Sequence, residues 1–129
     1  MSSVVILAAA LLASQQASAS EWVEAGWNDA AGKVFYIETR SLRRVGPYIA
    51  VWEKMTTKGV LAWRALSYHN CAEGSSAERQ LTTFDASGMT IKSKVSQSSE
   101  FVWEVPAPDT VALSMHQKVC SLGTKLPRR

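Results

Sequence analysis

Two histidines, His69 and His116, and two cysteines, Cys71 and Cys120, are the residues of this 129-residue chain whose types best suit metal binding or nucleophilic chemistry. A zinc site needs three or four converging His, Cys or carboxylate ligands, and cysteines joined to each other cannot ligate. The two cysteines lie far apart and form no C-x-x-C pair, so they predict one structural disulfide rather than a redox centre. His69 is expected near a strand end and His116 on the polar side of a helix, both exposed or at an edge. Ser67 and His69, at spacing two on a strand, project in parallel, and no G-x-S-x-G elbow is present. Glu53 and Arg64 are expected to pair across a hairpin, an interaction contributing ~0.2–1 kcal/mol at a surface. The expectation is therefore no catalytic residue, no metal, no cofactor and no enzyme.

Binding chemistry is better represented. Arg40, Arg43 and Arg44 fall in one connector close to Tyr48, where the solvated-loop reading stands beside a partner or anion contact using arginine's bidentate fork. Five tryptophans, Trp22, Trp27, Trp52, Trp63 and Trp103, are a heavy aromatic load. Most are expected in the core, although rigid aromatics beside arginine also serve as binding anchors.

The elements that must position these residues follow from hydrophobic periodicity. Strands are expected over 21–27, 33–38, 48–55, 60–71, 78–85 and 89–95, with a last short strand or extended lead-in over 101–105. The residues 39–46 break the apolar pattern and predict a single helical turn or an irregular crossover. Glycine-containing turns separate the strands at short intervals, which argues an antiparallel meander rather than βαβ units. After Pro106 and Pro108, Asp109 is the expected N-cap of one helix. Val111, Met115 and Val119, with Ala112 and Leu122, form its apolar stripe, and Lys118 and Gly123 mark its end. The fold class is thus α+β, mainly β: about six antiparallel strands with one C-terminal helix tethered by a disulfide.

The apolar run 4–13 followed by Ala17-Ser18-Ala19 has the pattern of a secretory leader cleaved after Ala19, too short to span a bilayer. The expected division is a leader over 1–19, one domain over 20–123 and a short, disordered basic tail over 124–129. No cysteine follows the apolar run to carry a lipid. All charged side chains lie after the leader, and a formal charge of +3 is too mild for a nucleic-acid-binding face. No other run reaches the ~20 apolar residues of a membrane helix.

In order and spacing, several motifs resemble the surface-adhesin protein E-like family of small exported bacterial proteins. They are Trp22-Val23, Val34-Phe35-Tyr36-Ile37-Glu38 with Ser41-Leu42, and Val51-Trp52-Glu53-Lys54. Ser67-Tyr68 before Cys71, Arg79, and Trp103-Glu104-Val105-Pro106 ahead of Cys120 complete the set. Glu38 stands where the family strand usually ends in Asp. The resemblance implies an antiparallel sheet whose C-terminal helix is tied to one face by Cys71–Cys120. It also implies an exported, non-enzymatic, adhesin-like binding module that presents a sheet face to a protein or to an extracellular-matrix or envelope macromolecule. A periplasmic inhibitor or envelope-stress factor that binds a hydrolase is the alternative. The chain is expected to be periplasmic or secreted and not lipid-anchored, with exposed sheet edges that allow a homodimer.

Overall fold

The computed structural model describes residues 19–127. The expected leader, apart from its last residue, and the end of the basic tail lie outside the described residues. Six strands, β1 (Trp22–Asn28), β2 (Lys33–Val45), β3 (Tyr48–Thr57), β4 (Val60–Asn70), β5 (Ser75–Phe84) and β6 (Thr90–Val95), precede a 3-10 turn at Ser98–Glu100 and helix α1 (Val111–Gly123). Each strand pairs antiparallel with the next, so the sheet order is the sequence order. The α+β meander with one C-terminal helix is therefore present.

Tight connections make this order possible. Lys58 and Gly59 both have positive φ, 51° and 81°, between the paired residues Thr57 and Val60. Two left-handed residues in a row match the right-handed twist of the flanking strands. Gly46, at φ 56°, opens an equally short turn between Val45 and Tyr48.

The residues 39–45 form neither a helical turn nor an irregular crossover; they continue β2 as far as the Gly46 turn, with a break in register between Glu38 and Arg43. Ser41 bridges the break. Its Oγ donates to the Glu38 carbonyl at 2.7 Å and accepts the Trp52 N–H at 2.9 Å. A side-chain hydroxyl thus completes the ladder where the backbone cannot, which the loss of apolar alternation concealed.

Helix α1 lies across one sheet face. Ile37, Ile49 and Val51 from the sheet bury against Met115 and Val119, with Phe35, Leu42, Val111 and Leu122 partly buried around them. Two glycines set the spacing. A Cβ added at Gly26 would stand 2.7 Å from Val111 Cγ1, and one at Gly123 would stand 2.8 Å from Ile49 Cγ1. The Cys71–Cys120 disulfide, with Cα atoms 5.7 Å apart, fixes the helix's last turns to the loop after β4.

Other details differ from expectation. The helix is capped by Thr110, whose Oγ1 accepts the Leu113 N–H at 3.2 Å, while Asp109 takes a left-handed φ of 60°. Residues 101–105 form only a single bridge, Glu104 to Ser76, and β5 starts early enough to include that partner. In the expected tail, Leu126 packs against the core. No tryptophan is buried, and Trp27 is 61% exposed. The compact branched residues Ile37, Ile49, Val51 and Val119 take the buried positions between sheet and helix instead.

Candidate functional site

Because the strands pair in sequence order, their registers align whole rows of side chains across the sheet. On the face away from α1, one row runs Trp22, Glu38, Trp52, Leu66, Gln80, Val95. Its neighbour runs Glu24, Tyr36, Lys54, Arg64, Thr82, Ser93. Aromatic and cationic side chains therefore meet at the centre. The Lys54 ammonium lies 4.3 Å from the Trp22 ring centroid and 5.1 Å from that of Tyr36, and the Arg64 guanidinium carbon lies 6.0 Å from Trp52. Such contacts hold the rings and cations in one arrangement while leaving both able to meet a ligand. At one end of this open face Tyr48, Tyr68, Phe101 and Trp103 form a continuous aromatic cluster, with Trp103 4.8 Å from Tyr48 and Phe101 5.4 Å from Tyr68.

The arginine connector does not form one patch. Register puts Arg43 opposite Ala50 on the open face and Arg44 opposite Ile49 on the helix face. Arg44 donates to the carbonyls of Gly123 and Leu126 at 3.2 and 3.4 Å, capping the end of α1. The Arg40 N–H donates to Glu38 Oε1 at 3.0 Å, which holds the bulge. Tyr48 belongs to the aromatic cluster. Of the four residues, Arg43 and Tyr48 share the open face, and Arg44 has a structural task.

The histidines depart furthest from expectation. Glu53, His69 and His116 are each no more than 6% exposed and form a chain between sheet and helix. His69 Nε2 lies 3.2 Å from Glu53 Oε2, and His69 Nδ1 lies 2.9 Å from His116 Nδ1. With a carboxylate at one end, the network assigns the Nε2–H tautomer to a neutral His69, so that its Nδ1 accepts from His116. His116 Nε2 is 3.6 Å from the Cys120 sulfur. Burial, followed by His69, holds the His116 imidazole below its ordinary range, against an opposing pull from Glu53. Glu53 therefore faces α1, opposite Ala65, whereas Arg64 faces away opposite Lys54; the expected Glu53–Arg64 pair does not form.

Beside this chain, a cavity of about 510 Å³ opens between α1 and β3–β5. Phe35, Trp63 and Met115 give it an apolar wall, and Glu53, Glu78 and Glu104 an acidic one. Burial, then Glu53 and Glu104, hold the Glu78 carboxyl above its ordinary range, with Lys94 opposing. Both ring nitrogens of His69 are engaged within the protein, and Ser67 faces Val51 and Glu78 across the sheet rather than joining a nucleophilic pair. Among the described residues no group of three or more His, Cys, Asp and Glu is placed to hold a metal.

Compared with known proteins, the chain matches no family model, no curated protein and no solved structure. The resemblance to the surface-adhesin protein E-like family thus stands on its sequence motifs. No helix among the described residues is long and apolar enough to cross a membrane.

Sequence reasoning missed the Glu53–His69–His116 chain because it joins three elements. A signal for it existed: Glu53 shares the alternation of Ile49, Val51 and Met55, and His116 follows Met115 one position round the apolar stripe. A polar residue in phase with a core stripe is buried unless the stripe ends.

Proposed function

We propose that the chain is an exported, non-enzymatic, adhesin-like binding module that presents its open sheet face to a macromolecule of the envelope or extracellular matrix. The observation that carries this reading is the pair of cross-strand rows centred on Trp52, Lys54 and Arg64 on the face opposite α1, where Arg64 is exposed and Trp52 and Lys54 are partly so. Rigid rings provide area at low entropic cost, and the cations beside them add orientation and faster encounter. The sequence resemblance points the same way, and a disulfide suits an oxidising compartment.

The test is binding of the disulfide-bonded chain to immobilised extracellular-matrix proteins and anionic glycans, compared with a W52A/K54E/R64E variant of unchanged circular dichroism. Loss of binding of about tenfold or more in the variant supports the reading, since hot-spot truncations cost about 2 kcal/mol or more. Equal binding by both chains overturns it. Protease shaving of intact cells separates its two settings. A chain removed by shaving is displayed, whereas a protected chain in the periplasmic fraction shifts the reading to an inhibitor or stress factor that binds a hydrolase. A second copy of the chain is included among the immobilised partners, which tests the homodimer.

A further inference from the structure

β6 ends the sheet, and all six of its residues are exposed. Its outer row of backbone N–H and C=O groups is a template for another strand. The strand's two sides differ in chemistry. Register places Lys94 opposite Leu81 and Lys92 opposite Thr83 on the helix side. Ile91 and Val95, with Met89 just before the strand, are 59–68% exposed, and Val95 and Ser93 continue the two rows of the open face. This much uncovered apolar surface is unusual beside a strand edge that pairs with nothing.

Charge decides what can add to it. A two-fold axis normal to the sheet keeps each face continuous across an antiparallel β6–β6 seam, so residues facing one another lie on the same face of their strands. Registers centred on Lys92, Ser93 or Lys94 then all set lysine against lysine, which is destabilising at directly opposed positions. Inside the protein Lys94 already interacts with a carboxylate, Glu78. The edge is thus biased against its own copy and toward carboxylates.

We propose that the β6 edge takes, as a seventh strand, an extended segment of a partner protein in which carboxylates alternate with apolar side chains. Carboxylates of the added strand lie beside Lys92 and Lys94, and its apolar side chains lie beside Ile91 and Val95. The proposal rests on the binding-module reading and names the partner's chemistry at a surface adjoining the open face.

The probe is a capped heptapeptide of alternating glutamate and valine, with alternating lysine and valine as its control. Binding to the disulfide-bonded chain is followed by fluorescence anisotropy and by amide exchange of β6. The acidic peptide is expected to bind and to slow exchange along β6. K92E/K94E should weaken it about tenfold, from two reversed cross-strand pairs, and prefer the lysine peptide. W52A should leave peptide binding unchanged, so failure of the edge and failure of the open face read out separately. Equal binding of both peptides, protection outside β6 or no protection at all overturns the proposal. Dimerisation of the wild-type chain through β6 also overturns it. Should K92E/K94E not fold, K92T/K94T serves: if it dimerises while the wild-type chain ignores the acidic peptide, the lysines only block self-association and the proposal falls.

Discussion

Among single residues, the buried His116 imidazole makes folding sensitive to mild acid. The folded protein holds His116 below 6.5, so the unfolded chain takes up a proton first as pH falls. The His116 contribution is fully present above pH 6.5, is lost as pH drops below that value toward the depressed folded pKa, and then levels off. Glu78 acts with the opposite sign: a carboxyl raised above 4.5 in the fold adds stability as pH falls through that raised value toward 4.5. Urea midpoints measured between pH 7.5 and 5 should therefore decline, and H116N should flatten the decline; an unchanged slope in H116N would refute the assignment. Ser41 is a second point of sensitivity. S41A leaves the Trp52 N–H and the Glu38 carbonyl without their bridge, for an expected loss of about 1–3 kcal/mol by chemical denaturation.

At the scale of elements, the fit of α1 on the sheet depends on contact distance more than on helix propensity. Val119 is completely buried against Ile37 and Val51, and Gly123 lets the last turn approach Ile49. Alanine favours an isolated helix over glycine by about 1 kcal/mol, yet here its methyl would meet Ile49 at 2.8 Å. G123A is therefore expected to destabilise by about 1–3 kcal/mol through overpacking, read from the thermal midpoint. A rise in that midpoint would show that Ile49 yields and propensity prevails. The same packing explains why one edge of the helix is polar yet buried. His116 sits beside the Met115–Val119 stripe, where the sheet supplies His69, itself held by Glu53, as its partner.

At the scale of the molecule, one covalent bond joins the helical layer to the sheet. Closing the 49-residue separation between Cys71 and Cys120 restricts the unfolded chain by about 4 kcal/mol in the chain-entropy account. C71S/C120S should lose stability of that order or less, and its α1 amides should exchange before those of the central strands. Simultaneous exchange of both layers would mean that the core, not the bridge, docks the helix. The single helix packs on one sheet face, and the other face carries Trp22, Trp52, Lys54 and Arg64 together, which makes that face the candidate binding surface.

The antiparallel meander, the one C-terminal helix and the disulfide were legible in the amino-acid order, because alternation, turn glycines and a lone pair of cysteines are local signals. Val34 to Ile37 and Tyr48 to Met55 state their strands in side-chain types alone. That β2 runs on through Ser41, that Arg43 and Arg44 part to opposite faces, and that Glu53, His69 and His116 meet in the interior emerged only from the folded arrangement. Each of these depends on register or on contact between distant elements. A shift of one residue exchanges the two faces of a strand, and composition carries no record of which strand lies opposite.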